Sequence, residues 1–395
     1  MARRRNSISP ALVKLTAVHV LALGCFGVAM GEWLRRRIPI LERWLIPAPI
    51  CGGMVYALIA YALRDRWVNF EIDTVLRDLL MIVFFTTVGL GARWTLVKLG
   101  GIQVLLLLAL STAGAVLQSI LGIALAKAFG INPLVGVMSS AVALAGGPAT
   151  SLAFGSTFEK LGVPGAATIG VASATFGIVA AGLFCGLIGG LLIKRHGLTP
   201  DPSAKPTNAT PEAESGTLMG AVITTAIAMG LGSLVSAAVE RTGIVLPGYI
   251  GSMVVGAVIV NARLARPAQV HLQTLGSVSL QIFIVMALMT LKLWELANLA
   301  LPLIGMLLAQ TVLVWVMCLW LVYRVMGRDY EAAVMTAGFA GYMLGTTANA
   351  VAGMRELEER YGLAPRSFLV VPIVGAFLID FTNSLVITAF ANWLR

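Results

Sequence analysis

The chain has 395 residues, 58% of them hydrophobic and only 12% charged, with a mean hydropathy of +0.90. Its charged fraction is roughly half that of an ordinary soluble domain, which excludes a soluble globular class and points to a polytopic membrane protein. The net charge of +10 does not signal nucleic acid, because the lysines and arginines fall in short clusters between apolar stretches and form no continuous basic face.

In chain order, MARRRNSISP is followed by an apolar stretch at 11–34 and then by Arg35, Arg36 and Arg37. A cleaved signal peptide would want a shorter apolar core and a small-residue cleavage site, so the stretch is expected to be a first transmembrane helix, with no cleaved signal. Further spans are expected at 46–63, 75–92, 100–128 and 163–193. The segment KRHGLTPDPSAKPTNATPEAESG (194–216) is rich in Pro, Ser, Thr and charge and reads as a polar linker. Five more spans follow at 217–239, 246–262, 275–294, 299–325 and 366–393.

The second half echoes the first: LIPAPICGGMV (45–55) resembles VLPGYIGSMVV (245–255), and FGINPLVGVMSSA (129–141) resembles MGRDYEAAVMTAG (326–338). Both pairs are offset by close to 200 residues. Five is odd, so the second copy enters the membrane from the opposite side. The expected fold is therefore an all-α polytopic membrane protein with two inverted repeats of five transmembrane helices, 1–193 and 217–395, joined by the linker. With the amino terminus outside, sixteen of the 28 basic residues fall on the cytoplasmic side. That excess places both termini in the periplasm and the linker in the cytoplasm, although the arginines at positions 3–5 argue the other way.

Two apolar stretches are too broken to be simple spans. Residues 132–162 are interrupted by Gly146, Gly147 and Pro148, and residues 330–359 by Gly345, Thr346 and Thr347, at the same place in each repeat. Arms of about twelve residues reach the middle of a ~30 Å core and return, as re-entrant helical hairpins do. Irregular backbone at that depth is tolerated where it is buried in protein or lines a cavity, and paired interruptions mark a transporter's binding site. At the tips Thr150, Ser151, Thr346, Thr347 and Asn349 add hydroxyl and amide groups to free helix amino termini, which attract anions. A pair of kinked helices with small packing residues is the plainer alternative.

The last span carries Asp380 near its centre, with Asn383 on the same helical face. A carboxylate there costs roughly 2.5–3.5 kcal/mol on insertion scales, so it marks a cation or proton site, or else a structural bond to a neighbouring helix. Oxygen ligands from Asp380, Asn383 and the tip carbonyls suit sodium, a hard cation, with proton coupling through Asp380 as the rival. Gln118 and Gln310 lie inside long spans, where lining a pathway and bonding between helices are equally expected. Arg77, Asp78, Lys292 and Glu295 sit at span ends as interfacial anchors, Gly182, Gly186 and Gly190 favour close helix approach, and Pro47 and Pro247 precede glycine-bearing spans. Cys25, Cys51, Cys185 and Cys318, and His19, His196 and His271, are scattered without metal-ligand spacing. No DxxxD pair, HExxH or GxSxG lies within a span, so an embedded enzyme is not expected; a channel is separated from a carrier by whether flux saturates.

Several of these segments are similar to the bacterial sodium/glutamate symporters: SVSLQIFIVMALMTLKLWELANLALPLIGMLLAQTVL (277–313), MGRDYEAAVMTAG (326–338), ERYGLAPRSFLVVPIVGAFLIDFTNSLVI (359–387), IPAPICGGMV (46–55) and LRDLLMIVFFTTVGLGA (76–92). The resemblance extends over most of the chain and leaves out only the linker. It implies a homodimeric, elevator-type transporter of the bacterial inner membrane, surrounded by lipid and carrying L-glutamate with co-transported sodium and no organic cofactor. Scaffold helices would occupy 11–93 and 217–294, and transport helices with their hairpins 100–193 and 299–394. The family's tips fall on 145–151 and 344–350, which makes Gly146, Gly147, Thr150, Ser151, Gly345, Thr346, Thr347, Asn349 and Asn383 candidate solute contacts and Asp380 and Asn383 candidate sodium ligands. The tips also depart from the family pattern: SGGHGT becomes Ala145-Gly146-Gly147-Pro148-Ala149-Thr150, and Met343 brings bulk to the second tip. The solute is therefore glutamate or another small carboxylate or amino acid.

Overall fold

A computed structural model of the chain describes residues 11–64, 68–201, 216–244, 246–291, 293 and 299–395. The arginines at 3–5, most of the linker, Val245 of the echoed motif, and Lys292 and Glu295 lie outside the described residues.

The first half runs β1 (Ala11–Leu15), α1 (Ala17–Arg37), α2 (Pro39–Arg43), α3 (Ala48–Leu63), β2 (Val68–Ile72), α4 (Val75–Gly91), α5 (Trp94–Ala128), α6 (Pro133–Val137), α7 (Gly147–Lys160) and α8 (Ala166–His196). The second half runs α9 (Leu218–Glu240), α10 (Gly248–Asn261), α11 (Gln269–Leu288), α12 (Ala300–Met317), α13 (Tyr323–Val325), α14 (Tyr330–Leu344), α15 (Thr347–Tyr361), α16 (Pro365–Ile373) and α17 (Ile379–Trp393). Wider π turns carry α6 onward over Met138–Val142, join α12 to α13 over Cys318–Val322, and join α16 to α17 over Val374–Leu378. Pro372 precedes the last of these; it has no N–H to donate, which favours the irregular turn.

Among the described residues seven helices are long and apolar enough to cross a membrane, among them Gly100–Ala128, Ala300–Val325 and Pro365–Trp393. Gly101, at φ 62°, breaks α5 near its start, where the span Gly100–Ala128 begins. The expected spans at 46–63 and 246–262 form helices of only 16 and 14 residues. Both start abruptly, because Pro47 and Pro247 hold extended backbone at the amino-terminal cap. The first helix also begins later than expected: residues 11–15 pair in parallel with 68–72, and Lys14 meets Glu71 across the pair at 3.2 Å.

Glycine brings the helices into backbone contact. A Cβ on Gly31 would lie 1.9 Å from the Ala48 carbonyl oxygen and one on Gly52 1.8 Å from that of Gly27, which joins α1 to α3. In the other half a Cβ on Gly251 would lie 2.3 Å from the Gly232 carbonyl oxygen, which joins α9 to α10. Helix α3 also packs on α11, and α10 on α4. A second group contains α5–α8, α12 and α14–α17, whose shared core includes Met138, Leu144, Phe154, Phe339 and Met354. Gly182, Gly186 and Gly190 face α15, as their spacing suggests.

The segment α14–α15 is tied to α16 at its base. The Glu331 carboxylate accepts the backbone N–H groups of Arg366 (3.1 Å) and Ser367 (2.8 Å) together with the Ser367 hydroxyl. A carboxylate at a helix amino terminus satisfies first-turn donors and the helix dipole at once. Asp329 caps Ala332 and pairs with Arg366 at 2.6 Å. Glu331→Ala is expected to lower stability by about 2 kcal/mol, read as a lower Tm of the detergent-solubilised protein; an unchanged Tm would show that this knot contributes little.

Candidate functional site

The two interrupted segments meet at their tips. In the first, the chain leaves the π turn, passes Gly146 and turns at Gly147, whose φ of 67° is left-handed and suits glycine. Pro148 follows in the first turn of α7, where a missing N–H costs nothing. In the second, Gly345 ends α14 and Thr346 caps α15. Asn349 closes a reciprocal box there: its Oδ1 accepts from the Thr346 N–H (3.2 Å) and hydroxyl (2.7 Å), while its own N–H donates to Thr346 Oγ1. A Cβ on Gly147 would stand 3.7 Å from the Gly345 carbonyl oxygen, so the tips are within van der Waals reach of each other.

Beside them lies a cavity of about 670 Å³. One wall comes from Pro47, Ala48 and Pro49 at the start of α3, Phe84 of α4, and Leu280, Gln281 and Ile284 of α11. The opposite wall is residues 146–149 and 345–348, with Gly375, Ala376 and Asp380. Glu32, Arg35 and Arg36 of α1 and Glu42 of α2 line it as well. Helices α7 and α15 both begin at the cavity, and the first N–H groups of a helix have no acceptor within it. Two positive helix ends favour an anion, the charges of Arg35 and Arg36 being matched by Glu32 and Glu42, whereas the Asp380 carboxylate, with hydroxyl and carbonyl oxygens nearby, favours a hard cation.

The structure brings Gly146, Gly147, Gly345, Thr346, Thr347 and Asp380 together on this cavity. It does not bring the other four candidates to its surface. Thr150 is buried against Gly146, and Ser151 donates to the Gly147 carbonyl at 2.9 Å. Asn349 is buried, and its Nδ2 donates to the Ile178 carbonyl of α8 at 3.1 Å. Asn383 is buried too, its Nδ2 bonded to the Ala141 carbonyl of the first π turn at 2.9 Å and its Oδ1 without a partner in the protein. These four hold the tips or the Asp380 helix in place. Thr347 does both: it lines the cavity and donates to the Gly375 carbonyl at 2.6 Å, which pins the second tip to the π turn just before Asp380.

Gln118 and Gln310 bond between helices. Gln118 Nε2 donates to the Met343 carbonyl (3.0 Å) and Gln310 Nε2 to the Gln118 carbonyl (2.8 Å). Of the departures at the tips, Pro148 and Ala149 line the cavity and Met343 does not: its side chain is buried against Gly114. In the sequence Arg35, Arg36 and Pro47 are flanks of spans, and no motif associates Glu32 and Glu42 with a site. The run of three arginines beside two acids was the available signal.

Long apolar helices arranged around a polar, charge-lined cavity define a polytopic membrane protein with a site for a small solute. The family described as sodium/glutamate symporter matches residues 13–363. A sodium/glutamate symporter of Escherichia coli (strain K12) is 35% identical over 391 residues, covering 94% of this chain and 96% of that one, and one of Haemophilus influenzae is 32% identical over 383 residues, covering 93% and 95%. The chain belongs to the sodium/glutamate symporter family, which consists of transporters and not enzymes. Among solved structures, a sodium proton antiporter of Methanocaldococcus jannaschii aligns over 95% of this chain and 98% of that one, with a TM-score of 0.40 and 16% identity.

Proposed function

We propose that the protein is a secondary active transporter of the bacterial inner membrane that couples sodium entry to uptake of L-glutamate. The observation that carries this reading is the cavity itself, where two helix amino termini and the Asp380 carboxylate share one wall. An anionic solute sits against the first turns of α7 and α15, with Gly146, Gly147, Gly345, Thr346 and Thr347 as its contacts. Thr150, Ser151 and Asn349 fix the tips, while Asp380 holds the sodium and Asn383 orients the coordinating carbonyls. Bound sodium neutralises Asp380 and makes the cavity more attractive to a carboxylate, which couples the two solutes. Each net charge carried inward gains ~2.3 kcal/mol per 100 mV of membrane potential.

In this reading the halves are inverted repeats and α6–α7 and α14–α15 are re-entrant hairpins. The reciprocal packing supports it: α3 meets α11 of the other half as α10 meets α4, and glycine contacts join α1 to α3 as they join α9 to α10. Helices α5–α8 and α12–α17 then travel as one body past a scaffold of α1, α3, α4 and α9–α11, in an elevator-like step. Cavities at both ends of the seam support this division. The large one lies by Pro47, and a smaller one of about 360 Å³ lies by the repeat-related Pro247, lined by Ala153 and Ser156 of α7 with Lys160, Glu240 and Arg395. The protein works as a homodimer, with both termini periplasmic and the large cavity facing the cytoplasm.

Purified protein in liposomes tests the assignment. An inward sodium gradient is expected to drive saturable accumulation of radiolabelled glutamate, with equal potassium giving none. Pro148 supports a second reading, since it replaces a polar tip residue of the family pattern on the cavity wall. If glutamate is not accumulated, the same vesicles offered other small carboxylates and amino acids identify the solute, and accumulation driven only by a proton gradient would replace sodium as the coupling ion.

A further inference from the structure

From a groove that shares no lining residue with the transport cavity we infer that the protein holds an anionic phospholipid, with the phosphodiester headgroup seated between the carboxy-terminal ends of α8 and the α12–α13 helix. Two exposed apolar stripes lead to it at four-residue steps, the spacing of one helix face. On α8, Leu183, Leu187 and Leu191 are exposed and the next residue in the series is Arg195. On the facing helix, Ile304, Leu308, Val312, Val316 and Trp320 are exposed and the next in the series is Arg324. Each stripe is thus an apolar face for an acyl chain that ends in a guanidinium.

The stripes converge on a groove of about 690 Å³ lined by Arg195, His196, Trp320, Tyr323, Arg324 and Arg328. Its side chains are held in place: the Arg324 guanidinium lies 5.9 Å from the Trp320 ring centre, His196 Nδ1 donates to the Leu192 carbonyl at 3.1 Å, and Tyr323 donates to the Arg328 carbonyl at 2.9 Å. Arg328 is in left-handed backbone, φ 59°, an unusual conformation for a residue other than glycine, in the turn between α13 and α14. None of the three arginines has a carboxylate partner among the described residues, and the adjacent Asp329 is occupied by Arg366 and by the cap of α14. A concave basic site ringed by interfacial aromatic side chains, at the end of lipid-facing stripes, has the chemistry of a phosphate headgroup with its acyl chains attached.

The groove lies among helices assigned above to the moving body, but the inference does not depend on what that body carries. Bromine quenches indole fluorescence on contact, so Trp320 reports on lipid in the groove. Full-length protein in neutral detergent is titrated with brominated phosphatidylglycerol or brominated phosphatidylcholine, and the Trp320 signal is taken as the difference from Trp320→Phe. Phosphatidylglycerol is expected to quench Trp320 at about a twentieth or less of the phosphatidylcholine concentration, and each of Arg195→Gln and Arg328→Gln to weaken it about fivefold. Both arginines are exposed, so the variants are expected to keep the wild-type Tm without lipid; if one is unstable, the other serves alone. Equal quenching by the two lipids would overturn the assignment. So would unaltered phosphatidylglycerol binding in both variants, or displacement of the lipid by glycerol phosphate at matching concentration, which would make the groove a site for a free anion.

Discussion

Asp380→Asn is expected to lower sodium-driven uptake by at least about a hundredfold while leaving insertion and yield unchanged. The side chain opens on the cavity beside Gly375 and Ala376, and no described residue hydrogen-bonds or pairs with its carboxylate. Asparagine has the same size and can remain in the same place, so packing gives no reason for loss of the fold. What disappears is a full negative charge facing a bound cation. At ~4 Å and an effective dielectric of about 20 that attraction is about 4 kcal/mol, or about a thousandfold in affinity, and screening by water in the cavity reduces it toward the smaller figure. Uptake and sodium binding should be measured on the same preparation. If the variant retains wild-type sodium dependence, the carboxylate is not the cation's ligand and the coupling site lies elsewhere.

The neighbourhood of Asp380 shows how far sequence carries. An acid in the middle of an apolar span is conspicuous because its insertion cost needs a reason, and Gly146, Gly147 and Pro148 announced a break because only those backbones turn so sharply. That Thr347 would bond the Gly375 carbonyl was not legible: the acceptor is backbone, exposed by a π turn, and such a turn depends on the packing around Pro372 more than on residue type. Asn349 and Thr346 read as solute ligands because polar groups at helix starts do bind anions, yet they also cap helices, and here Asn349 is spent on its own amino terminus and on α8. Met343 looked like bulk in the site because it is near the tip in sequence, but on α14 its side chain points away from the cavity, toward Gly114. The short strand at 11–15 was hidden by an apolar stretch that continues without a break into α1; its partner lies more than fifty residues away and leaves no local trace.

Gly136→Ala is expected to reduce uptake by at least about a hundredfold through the position of the first tip, although residue 136 does not touch the cavity. Helices α5 and α6 meet backbone to backbone at Gly122 and Gly136, and a Cβ on Gly136 would stand 2.1 Å from the Gly122 carbonyl oxygen. Backbone cannot rotate aside as a side chain does, so α6 must move off α5 by on the order of 1 Å before the contact becomes an ordinary van der Waals one. Downstream of Gly136 on the same arm are the Ala141 carbonyl that holds Asn383 and the turn at Gly147 that meets the second tip. An ångström of displacement there separates oxygens that must surround one ion, and misplacement on that scale costs about a hundredfold where geometry governs the step. Gly230→Ala is the control: nothing lies within 4 Å of a Cβ at that position of α9, and alanine suits a helix better than glycine by ~1 kcal/mol, so uptake and Tm should match or exceed wild type. Wild-type uptake by Gly136→Ala would mean that the first arm can shift without moving the ion's ligands, and the tight contact with α5 would then serve packing alone.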